Sequence, residues 1–137
     1  MVSADAGLML GGGSIGQRHL KNMQRIGVDV GAVDPDSTVR EALTADFDIE
    51  TYAALSEGLT EFDPDFVVVG TPNRYHVKVA TEAAEAGCHL FIEKPLSHEM
   101  DGVDALKSVV SEQNLGSLVG CNLRFNPELR KIRRLLQ

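Results

Sequence analysis

Three glycines, Gly11, Gly13 and Gly16, form a G-x-G-x-x-G pattern between an apolar run and a helical pattern. Residues 7–11 have the apolar character of a strand, and from Ser14 onward apolar side chains recur at helical spacing. In such a strand–turn–helix unit, the first glycine permits a tight turn, the second lets the backbone approach a diphosphate, and the third lets the helix pack closely on the strand. The pattern therefore predicts a βα unit whose turn binds phosphate groups.

The remainder of the chain continues to alternate between strands and helices. Further strands are predicted at residues 28–33, 66–69, 88–92 and 118–123, with a short extended piece at 49–52. Helices are predicted at residues 37–45, 53–61, 75–86, 99–112 and 128–137. Continuously apolar strands that alternate with helices are typical of a parallel sheet buried on both faces. We therefore expect an α/β fold, with a doubly wound, mostly parallel sheet and helices on both faces.

Apolar residues at helical spacing define the expected inner faces of the helices. Those of the first helix are Ile15, Leu20, Met23 and Ile26, and those of helix 99–112 are Met100, Val103, Leu106 and Val110. Gly27 is the expected end of the first helix, because glycine favours the left-handed conformation found there. Cys88 and Cys121 both fall in strand-like runs without metal-ligand spacing, so we expect two free, buried thiols and no metal site.

Length and charge limit the classes of function. The 137 residues suit one domain, and a formal net charge of −7 disfavours general binding to nucleic acid, whose phosphates would be repelled. Although four basic residues lie in helix 128–137, it lacks aromatic residues, and we interpret its basic face as solvated. No apolar run is long enough to cross a membrane, and the first ten residues do not resemble a signal peptide, which favours the cytoplasm.

Asp34 lies at the end of the second predicted strand, about twenty residues beyond the glycines, where a carboxylate can bind the adenosine ribose hydroxyls. A carboxylate there would repel the extra phosphate of NADP, and Asp36 adds to that repulsion. Arg40 lies one turn into the next helix, and its positive charge weakens this argument for NAD over NADP. We therefore expect NAD, with NADP possible. The alternative is that Asp34 is only a turn residue before Pro35.

Two further polar segments follow predicted strands, at residues 70–76 and 93–97. The carboxyl ends of parallel strands form the edge at which open α/β sheets bind ligands. Taken singly, His76 also fits a capping or packing histidine, and Lys94 also fits a solvated surface lysine. A mononucleotide phosphate loop is excluded, because Gln17 and Arg18 follow Gly16 where lysine and a hydroxyl residue would be needed.

Four segments together resemble one known family. They are Gly11-Gly12-Gly13-Ser14-Ile15-Gly16-Gln17-Arg18-His19, Gly70-Thr71-Pro72-Asn73 with His76, Glu93-Lys94-Pro95, and Arg124-Phe125 followed by Pro127. Their order and spacing are similar to those of the N-terminal domain of the Gfo/Idh/MocA family, the glucose–fructose oxidoreductase and inositol dehydrogenase group. The resemblance extends over nearly the whole chain, and the Glu-Lys-Pro tripeptide is its most specific element.

The resemblance implies a Rossmann domain over residues 1–125. It also implies that residues 126–137 begin a helix leading into a C-terminal substrate domain, with an open, mainly antiparallel sheet, which this chain lacks. The ending at Gln137 fits a natural terminus as well as a truncation. Because family members carry a second catalytic cluster in that domain, we expect the chain alone to bind dinucleotide but to turn over substrate poorly or not at all.

The implied activity is hydride transfer between nicotinamide and a carbon of a sugar, inositol or sugar nucleotide. The full-length protein would take a small polyol or sugar-type substrate, and it is a possible homo-oligomer. Lys94 is the implied catalytic residue, polarising or deprotonating the substrate hydroxyl. The candidate cofactor-binding residues, from the glycine pattern and from the resemblance, are Gly11, Gly13, Ser14, Ile15, Gly16, Asp34, Thr71, Pro72, Asn73, His76, Glu93, Lys94, Asn122 and Arg124.

Asn122 and Arg124 have the weakest claim among these residues, because ordinary polarity at a strand end explains them equally well. Two other functions also remain open for the chain as a whole. One is a non-enzymatic module that binds or senses NAD(H), and the other is an interaction module whose last helix binds a partner.

Overall fold

The computed structural model describes residues 6–136, so Gln137, the expected end of the last helix, lies outside the described residues. The strands are β1 (Ala6–Leu10), β2 (Asp29–Val33), β3 (Thr51–Tyr52), β4 (Phe66–Val69), β5 (His89–Ile92) and β6 (Ser117–Val119). The α-helices are α1 (Ser14–Arg25), α2 (Ser37–Phe47), α3 (Leu55–Glu61), α4 (His76–Glu85), α5 (Val103–Glu112) and α6 (Pro127–Leu135). Two short 3-10 helices, Asn73–Tyr75 and Asn122–Phe125, precede α4 and α6.

All six strands form one parallel sheet in the order β3-β2-β1-β4-β5-β6. From β1 the chain extends the sheet in one direction through β2 and β3, then crosses over to β4 and extends it in the other. The order therefore reverses between β1 and β4, and at such a point the loops after the two strands diverge and leave a crevice. The expected doubly wound, parallel α/β fold is confirmed.

Side chains of the central strands alternate between two apolar layers. On β1, Leu8 and Leu10 pack in one layer and Met9 packs in the other, and all three are almost fully buried. The first layer includes apolar residues of α3, α4 and α5, and the second includes those of α1 and α2. Helices therefore cover both faces, which is the physical reason that the central strands β1 and β4 are apolar throughout.

Two residues expected on inner helix faces are exposed, because one is the cap residue of α1 and the other precedes the start of α5. Ile26 follows the last residue of α1, and it is 78% exposed. Met100 is 76% exposed because α5 begins only at Val103, after Gly102 with a φ of 78°. In both places the apolar periodicity of the sequence extends beyond the residues that are helical. The predicted helix end at Gly27 is confirmed by its φ of 82°.

The region after β5 differs most from the prediction. The predicted strand 118–123 is shortened to β6, and the 3-10 helix Asn122–Phe125 replaces its second half. Cys121 therefore lies at the start of that 3-10 helix and is exposed, so the expectation of a buried thiol was wrong for this residue. It is confirmed for Cys88, which is 4% exposed and packs in the first apolar layer.

Helix α6 begins as predicted and leaves its apolar residues in solvent. The Asn126 side chain accepts a hydrogen bond from the Leu129 N–H at 3.1 Å, and Pro127 occupies the first helical position. Ile132 and Leu135 are 51% and 75% exposed. No helix among residues 6–136 combines the length and the apolar character needed to span a lipid bilayer.

Candidate functional site

The glycine turn between β1 and α1 has the close packing that its sequence requires. Gly11 has a φ of 95°, a conformation that residues with a Cβ rarely adopt, and a Cβ there would lie 2.8 Å from the carbonyl oxygen of Gly70. A Cβ on Gly16 would collide with the carbonyl oxygen of Gly11. Around Gly13, by contrast, no atom of residues 6–136 other than its own and those of its chain neighbours lies within 4 Å of the position of a Cβ. The turn is therefore tightly packed on its inner side and open at Gly13.

The amino end of α1 presents free amide groups next to that opening. The Gln17 N–H donates to the Gly13 carbonyl at 2.9 Å and closes the first turn, so the N–H groups of Ser14, Ile15 and Gly16 have no partner within the helix. No side chain caps this end, and the first turn has no acidic residue. Unpaired amides and the positive end of the helix dipole together favour an anion such as a diphosphate.

Asp34 lies beside the glycine turn, at the carboxyl end of β2. Its Oδ2 accepts a hydrogen bond from the Gly12 N–H at 2.8 Å, and its Oδ1 accepts one from the Asp36 N–H at 3.0 Å. The Arg40 guanidinium donates to the backbone carbonyls of Asp34 and Pro35, at 2.8 and 3.0 Å. The carboxylate is therefore oriented by the turn, and its remaining lone pairs are available to hydroxyl donors.

Asp36 has a structural role that the sequence interpretation did not assign. Its side chain accepts a hydrogen bond from the Thr38 N–H at 2.8 Å and caps α2. Its Oδ1 is therefore engaged with the first turn of that helix. Its negative charge still lies two residues from Asp34, where it adds to the repulsion of a further phosphate group.

The loop after β4 lies next to the glycine turn, because β4 pairs with β1. The Gly70 N–H donates to the Leu10 carbonyl at 2.9 Å. The Thr71 hydroxyl is buried and has no hydrogen-bond partner within residues 6–136, whereas the neighbouring Pro72 and Asn73 are exposed. An unsatisfied buried hydroxyl is uncommon in a native protein, so the Thr71 hydroxyl is a candidate to bind a polar group from outside the chain.

His76 is a buried link between two loops. It is 1% exposed, and its ring nitrogens Nδ1 and Nε2 contact the carbonyl oxygens of Pro95 and Thr71, at 2.9 and 2.8 Å. The side chain therefore joins the loop after β4 to the loop after β5. This arrangement matches the packing alternative for His76, and any influence on the crevice has to act through the loops it holds.

Glu93 and Lys94 follow β5 at the same edge of the sheet. The Glu93 N–H donates to the Val69 carbonyl at 2.9 Å, and its carboxylate Oε1 lies 2.7 Å from Nε2 of His19 on α1. The Lys94 N–H donates to Oε2 of Glu93 at 3.3 Å, while the Lys94 side chain is exposed. The sequence interpretation assigned no role to His19, whose only signal was its place three residues after the last glycine of the pattern.

Asn122 and Arg124 lie in the 3-10 helix after β6, farther along the sheet, and both are exposed. The Arg124 guanidinium stacks over the ring of the adjacent Phe125, at 5.5 Å from the ring centroid. No hydrogen bond links either side chain to the loops after β1, β4 or β5 within the described part of the chain. The structure therefore brings the other candidate segments together and leaves these two at the margin.

The carboxyl edge of the sheet brings three polar features together. The Asp34 carboxylate lies beside β2, amides without a partner in the helix lie at the start of α1, and the Glu93 carboxylate and the exposed Lys94 follow β5. A doubly wound sheet binds its dinucleotide across this reversal of strand order. Among residues 6–136 no group of three or more histidine, cysteine, aspartate or glutamate side chains could hold a metal ion.

Comparisons with known proteins agree with this geometry. The family model described as "Oxidoreductase family, NAD-binding Rossmann fold", GFO_IDH_MocA, matches residues 7–121. The chain is 30% identical over 132 residues to the uncharacterized oxidoreductase YrbE of Bacillus subtilis (strain 168), covering 94% of this chain and 39% of that protein. It is also 30% identical over 135 residues to an inositol 2-dehydrogenase of Rhizobium meliloti (strain 1021), covering 93% of this chain and 39% of the relative.

A solved structure shares the fold at lower sequence identity. The WlbA dehydrogenase from Chromobacterium violaceum, in complex with NADH and UDP-GlcNAcA, superposes with a TM-score of 0.90 at 21% identity, covering 97% of this chain and 40% of that one. The chain thus spans about 40% of the length of these relatives. Because the family model covers most of the chain and the motifs after β1, β4 and β5 meet at one edge of the sheet, the chain belongs to the Gfo/Idh/MocA oxidoreductase family, whose NAD-binding Rossmann fold residues 7–121 match.

Proposed function

We propose that the chain binds NAD(H) across the carboxyl edge of its sheet and supplies the cofactor half of an oxidoreductase that acts on a sugar, inositol or sugar nucleotide. The observation that carries the proposal is the glycine turn, where the unpaired amides of Ser14, Ile15 and Gly16 adjoin a surface left open at Gly13. A diphosphate placed there accepts those amides and interacts with the positive end of the α1 dipole.

The adenosine half of the cofactor would extend toward β2 in this proposal. Asp34 would accept hydrogen bonds from the adenosine ribose hydroxyls, and its orientation by Gly12 makes it ready to do so. The nicotinamide half would extend in the opposite direction, past Thr71, Pro72 and Asn73 toward the segment after β5. His76 supports that side indirectly, because it holds the carbonyls of Thr71 and Pro95.

The reacting end of the site would lie at Glu93 and Lys94, which the family resemblance places near the nicotinamide ribose. When bound, the nicotinamide ring exchanges a hydride with the carbon that bears the substrate hydroxyl. Lys94 would hydrogen-bond that hydroxyl and exchange its proton, which balances the charge moved with the hydride. The exposed Lys94 side chain suits this role, because lysine can orient a hydroxyl with several donors. Asn122 and Arg124 would border the nicotinamide pocket only from its margin.

We propose NAD as the preferred cofactor, because the negative charges of Asp34 and Asp36 oppose an added phosphate. Arg40 is the obvious cation for that phosphate, but its Nη1 already donates to the carbonyls of Asp34 and Pro35. To bind the phosphate of NADP, the guanidinium would have to use its remaining N–H donors, on the segment that also carries the Asp34 and Asp36 carboxylates. Electrostatic repulsion from those carboxylates therefore favours the dinucleotide without the extra phosphate.

The direct test is titration of the chain with NADH and NADPH, followed by nicotinamide fluorescence, since the chain has no tryptophan to quench. We expect the chain to bind NADH more tightly than NADPH. Asp34→Ala should lower the affinity for NADH by about tenfold and reduce the difference between the NADH and NADPH affinities. Asp29→Ala, at the exposed opposite end of β2, is the matched control and should change neither affinity. Failure of the unaltered chain to bind either dinucleotide would contradict the proposal and favour an interaction module.

We also propose that residues 126–137 begin the connection to a substrate domain that completes the pocket. Support comes from α6, whose apolar residues Ile132 and Leu135 remain exposed although the helix is well capped. A nicotinamide on this chain alone would have one face open to water, whereas hydride transfer requires a positioned substrate and excluded solvent. Saturable NADH binding without turnover by the isolated chain is the result we expect. An active oxidoreductase made of this chain alone would contradict it.

A further inference from the structure

The contact between His19 and Glu93 joins two segments that lie 74 residues apart in sequence. Nε2 of the imidazole lies 2.7 Å from Oε1 of the carboxylate, and the two side chains are only 17% and 14% exposed. His19 lies on α1, the helix whose amino end faces the diphosphate, and Glu93 directly follows β5. The pair therefore connects the two halves of the proposed cofactor site.

Both side chains are held in place by further contacts. The His19 ring meets the ring of Phe91 edge-on, with centroids 5.3 Å apart and an interplanar angle of 64°. On the other side, Oε2 of Glu93 accepts the Lys94 N–H at 3.3 Å. The carboxylate thus has a defined orientation, while its remaining lone pairs are free to accept hydroxyl donors.

We propose that His19 is a positioning residue for the nicotinamide half of the cofactor. By binding Oε1, it fixes the Glu93 carboxylate in the orientation that accepts the nicotinamide ribose hydroxyls. This inference rests on the proposed function. Without the histidine, Glu93 would gain rotational freedom, and ordering its side chain on binding would oppose affinity. The effect is confined to one half of the ligand, because Asp34 and the glycine turn bind the other half independently of β5.

That asymmetry separates positioning from a general structural role. ADP contains the adenosine, its ribose and the diphosphate, but neither the second ribose nor the nicotinamide. Loss of a merely structural contact on α1 would disturb the diphosphate site, so it would lower the affinities for ADP and NADH alike. Loss of a positioning contact at Glu93 would lower the affinity for NADH and leave the affinity for ADP unchanged.

The experiment compares His19→Ala with His19→Gln, whose side-chain amide can still donate to Glu93, and with His89→Ala as the matched control. His89 is also partly buried and hydrogen-bonded, to the Gly116 N–H at 2.8 Å, but it lies at the opposite end of β5. NADH binding is measured by nicotinamide fluorescence and ADP binding by calorimetry, on the 137-residue chain, with folding checked by circular dichroism. We expect His19→Ala to lower the affinity for NADH by about tenfold and the affinity for ADP by less than about twofold.

His19→Gln should recover most of the NADH affinity, and His89→Ala should change the affinity for neither NADH nor ADP. A second readout needs no variant binding data. The chain has four histidines, so the imidazole signal missing from the spectrum of His19→Ala can be assigned to His19 in the unaltered chain. That NMR signal should shift on addition of NADH and remain in place on addition of ADP. His19→Gln lacks the same imidazole, so its spectrum provides the assignment if His19→Ala does not fold.

Equal losses for NADH and ADP in His19→Ala, unchanged affinity for both, or an unresponsive His19 signal in an NADH-saturated chain would each overturn the positioning role while leaving NAD binding intact. An unaltered chain that binds neither ligand would instead contradict the proposed function, and the positioning role with it.

Discussion

The two glycines Gly13 and Gly16 stand in one pattern but have different physical tasks. Gly16 is buried, and its missing side chain lets α1 approach the carbonyl of Gly11. Gly13 is exposed, with an ordinary φ of −68°, so neither packing nor backbone conformation requires a glycine there. Its open side is instead the surface to which a diphosphate would bind. One glycine therefore serves the fold, and the other serves the proposed ligand.

Replacing each glycine by alanine should separate these tasks. We expect Gly16→Ala to lower the free energy of unfolding by about 1–3 kcal/mol, because the added methyl group overpacks the turn. Gly13→Ala should change it by less than about 0.5 kcal/mol and yet weaken NADH binding, because the methyl group stands in the path of the phosphates. Urea denaturation and NADH titration of both variants measure the two effects. A Gly13→Ala variant with undiminished NADH affinity would show that phosphates do not approach at this position.

The two thiols provide a second prediction at the scale of single residues. Burial, followed by the charges of Asp63 and Asp65, raises the pKa of the Cys88 thiol. Since the thiolate is the reactive form, Cys88 should react slowly in the folded chain, whereas the exposed Cys121 should react at once. Ellman's reagent should therefore modify one thiol per folded chain and two after denaturation. In Cys121→Ser, we expect no rapid phase.

At the scale of elements, helix α2 shows how one carboxylate fixes a boundary. Asp36 caps its first turn through the Thr38 N–H, and Asp48, with a φ of 53°, lies just after its end. The helix was expected to end at residue 45 but continues to Phe47, whose side chain packs on the second apolar layer. Packing thus extends a helix whose start is determined locally by its cap.

The capping role of Asp36 can be tested against a second acidic residue on the same helix. Asp36→Ala should destabilise the protein by about 1 kcal/mol, because it removes the acceptor for an otherwise unpaired N–H. Asp46→Ala, near the exposed carboxyl end of α2, should be neutral or slightly stabilising, since a negative charge there opposes the helix dipole. Thermal unfolding followed by circular dichroism measures both. Equal destabilisation by the two substitutions would contradict the capping role.

At the scale of the whole molecule, stability and proposed function occupy different places. The apolar layers lie on the two faces of the sheet, where residues such as Leu20 and Val67 are fully buried. The candidate site lies at the carboxyl edge, in loops attached to β1, β2, β4 and β5. Parallel strands bring all these loops to one edge, so a rigid sheet can position side chains from distant parts of the sequence. Helix α6 lies outside this arrangement.

Two substitutions, one in an apolar layer and one on α6, should show that stability comes from the layers and not from α6. Leu20→Ala removes a fully buried side chain from α1 and should cost about 2–5 kcal/mol of unfolding free energy. Ile132→Ala removes a side chain that is 51% exposed on α6, and we expect a change of less than about 0.5 kcal/mol. Urea denaturation of the isolated chain measures both values. A large loss with Ile132→Ala would mean that α6 packs on the domain more closely than its exposure indicates.

The amino-acid sequence by itself determined the alternation of strands and helices, the glycine turn, the placement of Asp34 and the end of α1 at Gly27. These features depend on side chains that lie within a few residues of one another, so local pattern is sufficient to predict them. The candidate residues of the glycine turn were likewise chosen from spacing alone, and their binding of a dinucleotide stays a prediction.

Only the tertiary structure decided the limits of α5 and β6, the exposure of Cys121, the burial of His76 between two loops and the partnership of His19 with Glu93. Each depends on which distant segments the sheet brings into contact. A histidine in a sequence has the same chemistry whether it faces solvent, a carbonyl oxygen or a carboxylate. Its role is set by the groups that the fold places around it, and no local pattern contains that information.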